Sequence, residues 1–233
     1  MKQILIFLIG LILLTACQPS ATQSMPPPPT STSVPLVDAS PTASLIPPTP
    51  APTDTPAPAP RTFTEGFDGS SSYWSFRQMD NGQPASTPEI KSGFLVFNLS
   101  APNQWVYSIY DGQDYADVRV DAQVDFLSGS DGAAGLVCRY SETDGWYEFN
   151  VFSDQTFTLL FGQWLAEGVA RYKPMYRGFS EKIKSDANEI GLDCQADTLT
   201  PFVNGVQLRK WQDTRYGLKS GAIGLSAASF ENV

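Results

Sequence analysis

Val118-Arg119-Val120-Asp121-Ala122-Gln123-Val124-Asp125-Phe126 alternates apolar and polar side chains without a break. A period of two is the mark of a strand with one face on a core and the other in water. It constrains the fold because a helix would scatter those side chains around its whole circumference. Short apolar runs at close spacing continue the theme: Phe94 to Leu99, Trp105 to Tyr110, Ala134 to Tyr140, Trp146 to Phe152, Phe157 to Phe161, Glu189 to Cys194, Leu199 to Val203 and Gly221 to Leu225. Turn chemistry separates them: Asp111-Gly112, Ser130-Asp131-Gly132, Thr143-Asp144-Gly145 and Asn204-Gly205. No segment carries a helical period, so the pattern predicts an all-β antiparallel sandwich or barrel.

That material begins only near Phe63. Before it lie two other kinds of chain. Lys2 precedes an apolar run from Ile4 to Leu14, too short to span a bilayer core, which takes about 20 residues. The order basic, apolar, small is that of a secretory signal, here 1–16. Its ending, Leu14-Thr15-Ala16-Cys17, is similar to the bacterial lipobox, and the similarity implies a mature chain that starts at a lipidated Cys17. Two or more acyl chains are needed for stable anchoring. From Cys17 to residue 62, Pro, Thr, Ser and Ala dominate, with Pro26-Pro27-Pro28-Pro29 as the densest stretch. Such a segment cannot bury enough apolar surface to fold and is expected to be a disordered, extended tether. The chain is thus expected to be an extracytoplasmic lipoprotein that touches a membrane only through its lipid.

Residues 63–233 have the composition of one folded domain. The chain carries a net charge of −9, which argues against a nucleic-acid or anionic-membrane partner, since either needs a basic footprint. It contains no histidine, which removes Ser-His-Asp and Cys-His triads and His-ligated zinc together.

Side-chain parity assigns faces. Leu136, Cys138 and Tyr140 are expected on the core side of their strand, with Val137 and Arg139 on the other. Ile190, Leu192 and Cys194 oppose Glu189 and Asp193. Tyr147, Phe149 and Val151 oppose Trp146, Glu148, Asn150 and Phe152. One sheet surface is therefore expected to gather Arg139, Glu148, Asn150 and Asp193. Cys138 and Cys194 both face the core, and in an exported protein a disulfide between adjacent strands is favoured over two buried thiols.

The succession Ala134-Gly135-Leu136-Val137-Cys138-Arg139-Tyr140, Trp146-Tyr147-Glu148-Phe149-Asn150-Val151, Asn188-Glu189-Ile190-Gly191-Leu192, Phe202-Val203-Asn204-Gly205 and Ser220-Gly221-Ala222-Ile223-Gly224-Leu225 resembles the concanavalin A-like lectin/glucanase superfamily. Its nearest branches are the laminin-G-like and 3-keto-disaccharide-hydrolase-like jelly rolls. The resemblance implies a jelly-roll sandwich whose concave sheet receives carbohydrate, with Arg139, Glu148 and Asn150 at its polar positions. Members usually finish with an acidic and aromatic strand beside the first. This sequence stops at Phe230-Glu231-Asn232-Val233, so that strand is expected to be lacking. Some such jelly rolls hold a structural calcium between first and last strands, which would fall to Asp68 here; no other metal or cofactor is expected.

Three functional classes fit. A non-catalytic module for polysaccharide or oligosaccharide, acting as a monomer, would use Arg139, Glu148 and Asn150 for polar contacts and Trp146 and Trp164 for stacking, with Trp164 at the start of a loop. A glycoside hydrolase-like enzyme would need a carboxylate pair. The superfamily's glucanases set Glu, Asp and Glu at alternate positions of one strand, whereas here Glu148 is followed by Asn150 and Phe152. A cross-strand pair of Glu148 with Asp193 is the substitute, and Arg139 beside it would keep a carboxylate ionised, which suits binding better than acid catalysis. The third class is a laminin-G-like adhesive or structural module. The first is the expected role.

Overall fold

The computed structural model describes residues 61–69, 73–79, 82–127 and 132–230. The expected signal peptide, Cys17 and all but the last two residues of the 17–62 tether lie outside the described residues, as do 231–233, on which the expectation about a final strand turns.

The described residues form strands and no helix: β1 (Trp74–Gln78), β2 (Glu89–Lys91), β3 (Phe94–Val96), β4 (Trp105–Tyr115), β5 (Val118–Asp125), β6 (Gly132–Ser141), β7 (Gly145–Phe152), β8 (Thr156–Ala166), β9 (Val169–Phe179), β10 (Ala187–Gln195), β11 (Thr198–Val203), β12 (Val206–Gln207), β13 (Trp211–Gln212) and β14 (Gly221–Ser229). A larger sheet runs β1-β4-β14-β6-β7-β8-β9, and a smaller one runs β12-β11-β10-β5 with β13 on β11. β2 and β3 pair on their own. All pairings are antiparallel.

The sheets share one core. Leu136, Cys138, Tyr147, Phe149, Phe157, Leu159 and Phe161 of the larger sheet meet Val120, Ile190, Leu192, Cys194, Leu199 and Val203 of the smaller. β5 behaves as its alternation requires: Val120 is buried, and Arg119, Asp121 and Asp125 are exposed. Cys138 and Cys194 form a disulfide, but it joins β6 to β10 across the sandwich rather than linking neighbours in one sheet.

Three segments depart from the sequence pattern. Asp111-Gly112 is not a turn: β4 runs through it, and its pairing with β14 breaks register between Tyr110 and Tyr115. β8 continues past Phe161 to Ala166, so Trp164 is on a strand. β9 gave no alternating signal because Lys173-Pro174 interrupts it. It lies at the sheet edge, where a proline costs no ladder hydrogen bond on the open side.

The largest departure is at Arg139. Its φ is +54°, and the β6–β7 ladder loses register between Cys138 and Ser141. A β-bulge inserts one residue and inverts the parity of the residues after it. Cys138 therefore stays in the core, while Tyr140 joins Trp146 on the opposite, outer face. Arg139 turns the other way, toward the ends of the smaller sheet.

Candidate functional site: an aromatic trough

The outer face of the larger sheet carries Tyr107 and Ile109 from β4, Val137 and Tyr140 from β6, Trp146 from β7 and Ala222 from β14, with Trp105, Trp164, Ala170 and Tyr172 packed against them. β4 and β9 stand five strand spacings apart in the order β4-β14-β6-β7-β8-β9, which in a flat sheet is about 24 Å. Yet the rings of Trp105 on β4 and Tyr172 on β9 stack with centroids 4.6 Å apart. The hydroxyls of Tyr107 and Tyr172 also hydrogen-bond. Side chains cannot span a flat sheet of that width, so the sheet curls with this face inside. The result is a trough whose two lips meet.

Glu148 lies at its floor, fully buried. Its Oε1 accepts from Trp105 Nε1 at 3.2 Å and Ser226 Oγ at 2.7 Å. Its Oε2 accepts from Tyr107 OH at 3.1 Å and Trp146 Nε1 at 3.0 Å. Donors from three strands thus replace the water that a buried carboxylate loses. Burial first, then the charges of Glu148 and Tyr172, push the Tyr107 hydroxyl far above its ordinary range. Burial and Glu148 raise Tyr172 likewise. Both phenols remain protonated, the form that can donate toward the carboxylate.

The expected site residues fare differently. Glu148 and Asn150 share the trough floor. Trp146 shares their face but is fully buried beneath Tyr107, Tyr140, Trp164 and Tyr172, so its ring offers no surface for stacking. Trp164 is half-buried, leans on Trp146, and donates from Nε1 to Tyr140 OH at 2.8 Å. Arg139 is not in the trough. It donates to the carbonyls of Ala116 (3.0 Å), Ala196 (2.6 Å), Leu218 (2.8 Å) and Cys194 (3.4 Å), and lies 3.5 Å from Asp117. Asp193 is in the smaller sheet, opposite Arg119 in register, on the face away from the core that holds Leu192 and Cys194. The sandwich therefore separates it from Glu148, and the two cannot act as a catalytic pair. Of the expected group of four, only Glu148 and Asn150 are neighbours.

Tyr107 and Ser226 are site residues that the sequence pattern did not single out. Tyr107 was legible, since Trp105, Tyr107 and Ile109 share parity on β4. Ser226 was not, because nothing local marks a serine in an Ala-rich strand. Asp68 is exposed, and among the described residues no group of three or more Asp, Glu, His or Cys side chains is placed to hold a metal ion.

No family model and no curated protein sequence matches this chain. Among solved structures, the carbohydrate-binding module CBM66 from Bacillus subtilis is similar at TM-score 0.51 and 12% identity, over 69% of this chain and 93% of that one. A Bacillus subtilis protein of unknown function with a galectin-like fold is similar at TM-score 0.51 and 11% identity, over 70% and 87% of the two chains. A glycoside hydrolase family 16 endo-glucanase from Bacteroides ovatus is similar at TM-score 0.51 and 10% identity, over 73% and 86%. The domain is a jelly-roll sandwich, a fold that it shares with a carbohydrate-binding module and an endo-glucanase.

Proposed function

We propose that the domain is a non-catalytic carbohydrate-binding module that takes polysaccharide or oligosaccharide in the trough of the larger sheet. The observation that carries this reading is the curl itself: it makes one face of the larger sheet concave over a buried polar floor, with the half-buried ring of Trp164 at its side. Aromatic faces and a few fixed polar groups are what sugars require. Binding rather than cleavage is favoured by Glu148, whose two oxygens are already held by four donors. Trp164 is the ring proposed to stack, Glu148 and Asn150 the polar floor, and Arg139 and Trp146 act through the scaffold.

The same reading extends to location. The inter-sheet disulfide fits an oxidising compartment, and the lipobox-like Leu14-Thr15-Ala16-Cys17 would tether the module through the Pro-rich segment. Retention of the protein on a panel of glucans and other polysaccharides tests the binding. Trp164→Ala should weaken retention about 10-fold, the equivalent of about 1.4 kcal/mol. Retention on none of the panel would end the proposal. Labelling with radioactive palmitate, lost in Cys17→Ser, tests the anchor.

A further inference from the structure

Glu148 is fully satisfied, but the next position along the trough is not. Asn150 is 1% exposed, and its amide nitrogen has no hydrogen-bond partner among the described residues. Among the described residues its carbonyl meets Ser226 Oγ alone, at 3.3 Å. That serine has one proton and stands closer to Glu148, at 2.7 Å. Thr158 faces Asn150 across the β7–β8 ladder, and its buried hydroxyl is also unpartnered among the described residues. Arg177 continues the row on β9, exposed and without an ion pair among the described residues. Buried polar groups in native proteins are nearly always paired, so two orphans side by side mark a place where something else belongs.

A line of rings crosses the trough beside this row. Tyr172 stacks on Trp105, Trp105 meets Phe230 edge-on at 6.1 Å, and Phe230 lies 5.6 Å from Phe152. Tyr172 is secured by its hydroxyl, which touches Tyr107 and the sulfur of Met79.

We propose that Asn150 and Thr158, with Arg177 at the rim, form a subsite for adjacent hydroxyl groups of a saccharide, occluded in the free protein by Tyr172 on Trp105. This inference rests on the carbohydrate-binding reading and deepens it. An amide and a hydroxyl can each donate and accept, as a sugar diol does, while Arg177 supplies donors only. Occlusion lowers apparent affinity by the fraction of time the trough is open, so releasing Tyr172 removes that cost.

Isothermal titration of the full chain with cello-, laminari- and mixed-linkage oligosaccharides tests it. Tyr172→Ala should bind its preferred oligosaccharide several-fold more tightly than the parent. Thr158→Val in that background should lose about 5-fold, the worth of one neutral hydrogen bond, with a melting midpoint unchanged or higher because an orphan hydroxyl has gone. Asn150→Ala should lose at least as much. Binding in the parent that Thr158→Val leaves untouched would overturn the subsite alone. Weaker binding by Tyr172→Ala would make Tyr172 a platform and overturn the occlusion. Silence from both the parent and Tyr172→Ala would end this inference together with the carbohydrate reading.

Discussion

Gly135 on β6 faces Asn150 on β7, and only a residue without a side chain fits between Asn150 and Ser226. A Cβ there would fall inside van der Waals distance of Asn150 Oδ1 and Ser226 Oγ, and 2.9 Å from the Phe149 carbonyl. Gly135→Ala is therefore expected to destabilise the domain by about 1–3 kcal/mol through overpacking. Urea unfolding should show the shift in midpoint. The penalty should shrink in an Asn150→Ala background, because one of the obstructing atoms is then absent.

Glu148→Gln tests the trough floor. The substitution turns one acceptor oxygen into an NH2 that must face either Trp105 and Ser226 or Tyr107 and Trp146; a hydroxyl can turn to accept, but in either case an indole N–H, which only donates, is set against a donor. Hydrogen bonds to charged groups contribute about 1.5–3 kcal/mol each, and a lost partner leaves buried groups unpaired. A loss of about 2–4 kcal/mol in unfolding free energy is expected. A change in Trp fluorescence should accompany it, since two of the donors are indoles. Unchanged stability would mean that the carboxylate is not what holds the four side chains in place.

Arg139 predicts the opposite of a binding residue. Arg139→Ala should leave the carbonyls of Ala116, Ala196, Leu218 and Cys194 without their donor and lower stability by about 3 kcal/mol or more. Arg139→Lys should recover only part, because an ammonium lacks the planar fork that reaches several carbonyls at once. Neither variant should change oligosaccharide affinity at a temperature where it is folded. A selective loss of affinity in Arg139→Lys, with stability intact, would restore the arginine to the site.

The same residue shows how far sequence reaches. Alternation in Val118 to Phe126 and in Trp146 to Phe152 reports directly which side chains meet a core, because two-residue parity is a local property of extended backbone. The two-sheet fold, the inward cysteines and the shared face of Glu148 and Asn150 were legible for that reason. Parity fails wherever a bulge adds a residue, and nothing in Cys138-Arg139-Tyr140 announces a positive φ. One bulge removed Arg139 from the trough and put Tyr140 in it. The meeting of Trp105 with Tyr172 is less legible still. It depends on strand order and on the curl of the larger sheet, both of which arise from pairing across long sequence separations. The separation of Asp193 from Glu148 likewise turns on which sheet each strand joins.

Asp213 is a carboxylate through which acid is expected to weaken the fold. Burial by itself would raise its pKa, but hydrogen bonds from Tyr147 OH and from the amides of Gly217, Arg215 and Tyr216 outweigh that and hold it below the ordinary carboxylate value. The contacts are 2.6 Å to Tyr147 OH, 2.6 Å to Gly217 N and 3.0 Å to Arg215 N. In return, burial and Asp213 raise the Tyr147 hydroxyl, so that it stays a donor. A carboxylate whose pKa is lower in the folded than in the unfolded chain binds protons preferentially when unfolded. Its contribution is whole above about pH 4, the usual unfolded value, and fades as the pH falls through the folded one. Thermal melts from pH 7 to pH 2 should show Asp213→Asn destabilised at neutral pH by about 1.5–3 kcal/mol. The gap to the parent should narrow as the pH falls below the usual carboxylate value and the parent's own carboxyl takes up its proton. A gap that stays constant across that range would show that the Asp213 charge, as distinct from its shape, does not hold the loop from Arg215 to Leu218 against Tyr147.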